Sequence, residues 1–548
     1  MNEFYNKYMY KNFMISHVPP ELGKIHYLIN CARFNKDNAS INTLLALSKH
    51  FDYNTSNLTS LIGIEIDNNV DESVEMDSEL IDEFEQLLIY NSFNESGFYE
   101  VKKEVKINIE KAADYFLTNC YIVEFPDSTL KVYNKVEGLY VDLNEELFGK
   151  IFYSFVRSFK QPFQLWNNLR EGNIFNAIKR SASAKSIKEE DLQSSIKYIP
   201  VNNGIVNLND MTLLNFSPNY FFTSKSPIDY APEKECPKFI KAMTLTCSND
   251  QEKLQLLQQL FGYGFVRNNL CAKMVFFLGD GASGKSTVVD MIGALYQKKS
   301  YLSLDEVCVP FELVNLVNKE INIGHENGNT NINNINSNVL KMLVTGNEIN
   351  VQVKHKNSFS SKITCKLYFL FNNLLDLDAG SDHSFGFWRR VILMEFNESF
   401  KRNGKEKKNL ANELLEQEAS GILKWALEGT KSLIESDYEF CKCTSSEKAL
   451  EKYKSEVNPL EEFLNNNLIY KEGSRLSRRE IQDSFRKYCI AECISTRGFD
   501  SSRVIWKNFE IWYKRTFNKM PVTFKSSQYR GYKNVAFKEK KIGLTRKG

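Results

Sequence analysis

The sequence predicts an α/β chain of several domains, built around a phosphate-binding strand, loop and helix. Three observations predict it. At 548 residues the chain exceeds the roughly 250–300 residues at which a single core stops growing. Its apolar fraction of 42% is that of a globular protein rather than a disordered one. The bulky run Met274-Val275-Phe276-Phe277-Leu278 leads directly into Gly279-Asp280-Gly281-Ala282-Ser283-Gly284-Lys285-Ser286. The run reads as a buried parallel strand.

Residues 1–105 form an N-terminal module with no assignable role. Between Leu61 and Glu110, 14 acids stand against three lysines, which reads best as a solvated acidic face. No run reaches the roughly 18 apolar residues of a membrane span, and no secretory signal opens the chain. The 11 cysteines are scattered, so the chain reads as soluble, cytoplasmic and reduced, with buried thiols in place of zinc sites.

Residues 106–235 look α+β, with short alternating runs at Tyr121–Glu124 and Leu130–Tyr133 and turn signals at Asn202-Asn203-Gly204 and Ser217-Pro218-Asn219. Residues 236–400 hold the phosphate loop. Ser248-Asn249-Asp250-Gln251 reads as a capping box opening a helix with Leu254, Leu257 and Phe261 on its apolar face. The loop itself is GxxxxGKS followed by Thr287. Its glycines let successive N–H groups face an anion at the positive end of the next helix. Lys285 would reach the β- and γ-phosphates of ATP, and the Ser286 hydroxyl would ligate Mg²⁺.

Such a loop needs an acid on a neighbouring strand. Lys319–Asn327 offers a short strand ending in Glu326, polar for a buried strand because of Glu320 and Asn322. An exposed strand that merely ends in Glu is the plainer alternative. Ile349, Val351 and Val353 alternate with polar residues and lead into a basic turn, Lys354-His355-Lys356, which is either functional or a solvated hairpin tip. Leu367–Phe371 is a third strand, and Asn372 at its carboxyl end would point at the γ-phosphate. Arg389 and Arg390 precede a further apolar strand. An arginine supplied across a subunit interface can stabilise phosphoryl transfer; the sequence does not say which of the two.

The polar stretch Asn403–Lys408 interrupts the chain, and residues 401–455 read as a helical extension. Asn458-Pro459 then marks a boundary. Residues 456–548 read as a small winged-helix domain. Its first helix is capped by Ser477-Arg478-Arg479-Glu480 and buries Ile481, Phe485 and Tyr488. A second, near Ser502–Phe517, carries Val504, Trp512 and the cations Arg503, Lys507, Lys514 and Arg515; a strand-turn-strand with Arg530 and Lys533 follows. From Ser501 to Gly548, 13 Lys or Arg face two acids. That pattern suits a duplex-binding face; a solvated basic surface is the alternative.

Taken in order, these segments resemble a family. From about residue 105 to 540 the chain resembles the primase-helicase replication proteins of phages, plasmids, mobile islands and poxviruses. Their motor belongs to helicase superfamily 3, a branch of the AAA+ ATPases. The resemblance is carried by Asn203-Gly204-Ile205-Val206-Asn207-Leu208, Tyr230-Ala231-Pro232, Cys236-Pro237-Lys238-Phe239, the loop from Gly279 to Ser286, and Ile323-Gly324-His325-Glu326. It continues through Leu343-Val344-Thr345-Gly346-Asn347-Glu348 with Lys354, Phe371-Asn372-Asn373-Leu374, and Phe387-Trp388-Arg389-Arg390. Family members often carry Asp where Asn347-Glu348 stands and Pro where Leu375 stands.

The resemblance implies Glu326 as the acid that holds Mg²⁺, Asn372 as sensor, one of Arg389 and Arg390 as arginine finger, and Lys354–Lys356 as a DNA-touching pore hairpin. It implies a homo-oligomeric ring, a hexamer, that unwinds DNA 3′ to 5′ at a replication origin, contacts single- and double-stranded DNA and host replication proteins, and needs no membrane. Three rivals remain: an origin-binding initiator that uses ATP only as an assembly switch, a P-loop enzyme unrelated to DNA, and a primer-synthesising enzyme. Ile64-Glu65-Ile66-Asp67 faintly echoes the carboxylate pair that the last would need.

Overall fold

The computed structural model describes residues 38–50, 99–101, 105–158, 168–182, 186–193, 195–325, 336–355, 357–372, 385–398, 400, 409–457, 459–491, 502–526 and 529–538. The chain divides into two units, 1–205 with 214–225, and 206–213 with 226–548.

In the first unit, helix α1 (Asn38–His50) and the hairpin of β1 (Tyr99–Val101) and β2 (Val105–Ile107) precede α2 (Ile109–Asn119). Asn108 caps α2, its side chain accepting from the Lys111 amide at 3.1 Å, as the helix's unbonded N–H groups require. An antiparallel sheet of β3 (Ile122–Glu124), β4 (Leu130–Asn134) and β5 (Leu139–Asp142) follows, then α3 (Glu145–Ser158), α4 (Asn168–Ala182) and the short α5 (Glu189–Gln193). The two alternating runs expected as strands are β3 and β4. The core is aromatic: Phe116 meets Phe148, Phe152 and Phe155 edge to face, Phe148 and Phe175 are tilted, and Phe148 and Phe152 stack at 5.9 Å between centroids, arrangements that ring quadrupoles favour when the rings are offset.

Strands β6 (Tyr198–Val201), β7 (Gly204–Asn207) and β8 (Thr212–Leu214) form a meander where the chain passes between units. Asn202 and Asn203 make its first turn, and Ser217 caps a single 3₁₀ turn at Pro218–Tyr220.

The second unit is built on a five-stranded parallel sheet. Its strands are β9 (Met274–Leu278), β10 (Lys299–Ser300), β11 (Ile321–His325), β14 (Lys366–Phe371) and β15 (Val391–Glu395), in spatial order β10-β11-β14-β9-β15. All five residues of β9 and all six of β14 are buried, so β9, and β14 after its first residue Lys366, read as continuous apolar runs and not as alternations. The polarity of β11 has a local cause. Asn322 is fully buried, and its side chain pairs with the Leu302 backbone: Leu302 N–H donates to Oδ1 at 2.8 Å and Nδ2 donates to Leu302 O at 2.9 Å. Glu320 accepts from the Lys298 amide at 2.9 Å. Both polar side chains serve as extra sheet hydrogen bonds beside the short β10, which removes the cost of burying them.

Helices α6 (Pro237–Thr246), α7 (Gln251–Gly262), α8 (Lys285–Ala294) and α9 (Ser337–Thr345) surround the sheet, and β12 (Glu348–Val351) pairs antiparallel with β13 (Phe359–Lys362) as a hairpin. Helix α7 is capped by Asp250, which accepts from the Lys253 amide at 3.1 Å. The expected cap at Ser248 is therefore two residues early: Ser248 and Asn249 both have positive φ, outside any cap conformation. The buried face of α7 is Leu256, Leu257, Leu260 and Phe261, with Leu254 only half-buried.

The short α10 (Phe385–Trp388) leads through Arg389 and Arg390 into β15. Helix α11 (Leu410–Glu435) is not a separate extension. It packs on α6 and α7, and at its kink Glu418 accepts from the Lys238 and Phe239 amides at 3.1 and 2.8 Å. Those are first-turn donors of α6, whose own N-cap, Cys236, makes no side-chain bond; a carboxylate there also meets the positive end of the helix. Helix α12 (Thr444–Val457) puts Ala449 and Tyr453 into the sheet's own core. These helices supply the covering layer the sheet needs.

The last segment has its own core. Its order is α13 (Pro459–Asn467), β16 (Leu468–Ser477), α14 (Arg478–Ala491), α15 (Ser502–Phe517), β17 (Thr523–Lys525) and β18 (Arg530–Phe537), with an antiparallel sheet β16-β18-β17. Ser477 and Glu480 form a reciprocal cap on α14: Glu480 Oε2 accepts from Ser477 N and Oγ at 2.8 and 2.7 Å, and Ser477 Oγ accepts from Glu480 N at 3.2 Å. Phe463, Phe485, Phe509, Trp512 and Tyr532 fill the centre, and Trp512 Nε1 donates to Asn465 Oδ1 at 2.7 Å, so the buried indole N–H is satisfied. Among the described residues, no helix is long and apolar enough to cross a membrane.

Candidate functional site: a phosphate loop at the sheet's carboxyl edge

The loop between β9 and α8 has the backbone of an anion cradle. Ala282 has φ +62° and Gly284 φ +89°. Helix α8 begins at Lys285, with Gly284 as its N-cap and no side-chain cap, so its first N–H groups stand toward the loop. Unbonded helix N–H groups and turn amides of this kind bind phosphate. Gly279 is required by close approach: a Cβ there would lie 2.4 Å from the Phe396 carbonyl oxygen, and that carbonyl belongs to the chain leaving β15, next to β9. Asp280, Gly281 and Ser286 are exposed, Thr287 half-buried, and Ser283 buried.

Lys285 is buried. Its ammonium donates to Asn372 Oδ1 at 3.1 Å, to Asp280 O at 3.3 Å, and to Gly279 O. Asn372 directly follows β14, whose Phe371 pairs with Leu278, the last residue of β9. The insertion of β14 between β9 and β11 is what brings the two polar residues together from 87 positions apart. The three acceptors are neutral oxygens. The site fits a nucleoside triphosphate in its backbone cradle, lysine and helix terminus.

Strand β11 runs parallel to β14 and ends level with it, His325 opposite Leu370. Glu326 comes next and lies outside the described residues. Asp290, one turn into α8, has its carboxyl raised by burial, partly offset by the His325 imidazole.

Arg389 and Arg390 are not at this site. They precede β15 at the opposite edge of the sheet, where Arg390 O accepts from the Met274 amide at 2.7 Å. The five residues of β9 put about 16 Å between that edge and the loop. Arg389 is exposed; Arg390 is half-buried, and burial followed by the Arg389 charge lowers its pKa.

The hairpin of β12 and β13 presents Lys354 and His355, both exposed, at its turn; Lys356 lies outside the described residues. The strand ends at Val351, so Val353 belongs to the turn. On α15, Arg503, Lys507 and Lys514 are exposed at helical spacing on one face, while Trp506, Phe509 and Tyr513 point inward. Arg530 is exposed and Lys533 half-buried. Arg515, also exposed, pairs with Glu461 of α13. The side chain of Val504 is outside the described residues, as are residues 64–67, 373–375 and 403–408.

Two family models match the chain. Residues 164–247 match the family described as D5 N terminal like, and residues 277–390 match a family of unknown function, DUF5906. The second match runs from within β9 through Lys285 and Asn372 to Arg390. Among curated proteins, none matches the chain. Among solved structures, two apo forms of the C-terminal region of NrS-1 are similar: one at 13% identity over 76% of this chain and 96% of that one, with a TM-score of 0.41, and one at 14% over 77% and 98%, with a TM-score of 0.40. A likeness at that level is too loose to carry a functional inference.

Sequence reasoning missed Asn269, Lys366 and Lys273, which tie the loop before β9 to its neighbours. Asn268-Asn269 reads only as a turn signal, and Lys366 reads as the polar residue before an apolar strand; nothing local marks either as buried or bonded.

Proposed function

We propose that this chain is an ATP-driven ring motor of the superfamily 3, AAA+ class, and that it separates DNA strands during replication. The observation that carries the proposal is the meeting of Lys285 and Asn372 at 3.1 Å above adjacent parallel strands. That is the arrangement a P-loop ATPase needs: a cation for the phosphates, and a polar side chain beside it to sense or orient the terminal one. ATP with Mg²⁺ would supply the phosphoryl-transfer chemistry when bound. The loop from Gly279 to Thr287 would hold the β-phosphate, Lys285 would bridge the β- and γ-phosphates, and Ser286 with Glu326 would ligate the metal.

The position of Arg389 and Arg390 at the far edge of the sheet supports a finger acting on a neighbouring subunit's nucleotide, since neither reaches its own loop. That makes a closed ring, a hexamer by resemblance, the economical assembly. The turn at Lys354–Lys356, of which Lys354 and His355 are exposed, would track one DNA strand. The helix, strand, helix, helix, strand, strand order of residues 459–538 supports a winged helix, with α15 entering the major groove of duplex DNA. The D5 N terminal-like match covers 203–208, 230–232 and 236–239, three of the segments that carry the resemblance to primase-helicase replication proteins. The test is ATP-dependent separation of a forked duplex by the purified chain, in parallel with ATP hydrolysis. Hydrolysis and DNA binding without strand separation would favour the initiator that uses ATP as a switch.

A further inference from the structure

Both roots of the β12–β13 hairpin are tied to one side chain outside it. Asn269 Nδ2 donates to Leu343 O in the last turn of α9 at 2.7 Å, and to Ile363 O, just past β13, at 3.0 Å. Its Oδ1 accepts from Lys366 Nζ at 3.3 Å. Lys366 also donates to the Asn268 carbonyl and to Thr364 O at 3.0 Å, and its ammonium lies 5.3 Å from the Tyr263 ring centre.

The same short segment reaches the arginine turn. Tyr263 OH donates to Lys273 O at 2.8 Å, Lys273 Nζ donates to Arg389 O at 2.7 Å, and the next amide, Met274 N–H, donates to Arg390 O at 2.7 Å. A turn closed by Ala272 N–H on Asn269 O at 2.9 Å makes residues 269–272 a stiff unit. Lys366, whose ammonium donates to Asn268 and Asn269 beside that unit, is 3% exposed. An ammonium buried among neutral oxygens costs stability that an apolar side chain of similar size would not, so packing alone does not account for it.

We propose that Asn269 and Lys366 are positioning residues that couple the arginine turn to the β12–β13 hairpin, so that engagement of Arg389 or Arg390 with a neighbour's nucleotide shifts the hairpin. The inference rests on the motor reading above. Its physical form is a run of hydrogen bonds, one ammonium–ring contact and the backbone turn at 269–272, joining two elements each of which has its own partner outside the subunit.

The experiment compares the full-length wild type with Asn269→Ala, Asn269→Asp and Lys366→Met. Asn269→Asp keeps the acceptor toward Lys366 and loses both donors to the hairpin roots; Lys366→Met keeps the stem and loses the ammonium. Four quantities are read: assembly, basal ATPase, ATPase with saturating single-stranded oligonucleotide, and ATP consumed per base pair opened on a forked duplex. Assembly and basal ATPase should stay within about twofold, while the DNA-stimulated part falls at least about tenfold and ATP consumed per base pair rises about fivefold or more. Equal loss of basal and stimulated ATPase in the variants that fold would make the contacts merely structural and overturn the inference. Wild-type stimulation in all three would overturn it too. If the wild type itself shows no stimulation by DNA, the motor reading fails and takes the coupling with it; stimulated wild type beside indifferent variants sinks the coupling alone.

Discussion

The ammonium of Lys285 donates to the side-chain oxygen of Asn372 across 3.1 Å. One follows a loop after β9 and the other directly follows β14, so the contact depends on β14 lying beside β9 in the sheet. Lys285→Ala removes the charge that would bridge two phosphates, and Asn372→Ala removes only a neutral partner. We expect Lys285→Ala to lower ATP turnover by about a thousandfold or more, and Asn372→Ala by about a hundredfold while nucleotide binding stays within a few-fold. Steady-state hydrolysis and binding of a fluorescent nucleotide check both. Equal loss of binding in the two variants would place Asn372 in ground-state recognition.

The loop's glycines should not be equivalent. Gly284 has φ +89°, and a Cβ on Gly279 would meet the Phe396 carbonyl at 2.4 Å, whereas a Cβ on Gly281 meets nothing within 4 Å. Alanine at 284 costs about 1–2 kcal/mol of backbone strain, and alanine at 279 must push the strand-end carbonyl away. Gly281→Ala should therefore retain stability and most ATP binding, while Gly279→Ala and Gly284→Ala lose both. Thermal melts with and without ATP separate the three; a binding defect in Gly281→Ala equal to the others would mean that the exposed side of the loop contacts the ligand more closely than its open surface suggests.

The strand, turn and helix from Met274 to Ala294 were legible because their determinants are local: an apolar run of five, glycines at fixed offsets, then a lysine and an apolar helix. The β14 strand and Asn372 were legible for the same reason. The capping residue of α7 was misplaced because Ser248 and Asp250 are both good caps and only the backbone decides between them. The covering role of α11 and α12, and the polar residues that satisfy β11 and the hairpin roots, were not legible. Glu418 caps a helix 180 positions away, and Asn269 bonds residues 74 and 94 positions away; side-chain bonds of that span leave no periodicity in the sequence.

Arg389 and Arg390 stand about 16 Å from their own loop, so any role in hydrolysis must be played on a neighbour. Arg389→Ala and Arg390→Ala should each be mixed with Lys285→Ala. A mixed interface then pairs an intact loop from the arginine variant with an intact arginine from the lysine variant. We expect recovery of ATPase to about a quarter of wild type for the true finger at equal ratio, since roughly one interface in four is then complete. No recovery in either mixture, with co-assembly verified, would make both arginines structural.

Lys366 gives a pH signature. Burial holds its ammonium down to about 8, while the unfolded chain titrates near the ordinary lysine value. Between those two values the unfolded state binds more protons, so stability rises with pH there and is flat below. Relative to Lys366→Met, the wild type should therefore gain on the order of 3 kcal/mol between pH 8 and 10.5. Denaturant melts of the two proteins across that range measure the gain. A difference independent of pH would mean that Lys366 keeps its ordinary affinity for the proton.

The two proposed DNA contacts should come apart. Arg503, Lys507 and Lys514 line one exposed face of α15, and each phosphate they contact releases counterion on binding. Replacing all three by alanine should weaken duplex binding and flatten its dependence on log salt by about one per cation removed, with ATPase unchanged. Lys354→Ala with Lys356→Ala should do the reverse: duplex binding and assembly are retained, but strand separation and stimulation of ATPase by single-stranded DNA are lost. Arg515→Ala is the internal control. Its guanidinium pairs with Glu461, so it should lower the stability of the C-terminal domain slightly, by about 1 kcal/mol or less for a partly exposed pair, and leave the salt slope alone. A salt slope that falls as much for Arg515→Ala as for Arg503→Ala would show that the basic face is not read through these particular cations. Unwinding at the wild-type rate by the hairpin variant would remove the β12–β13 turn from the DNA path.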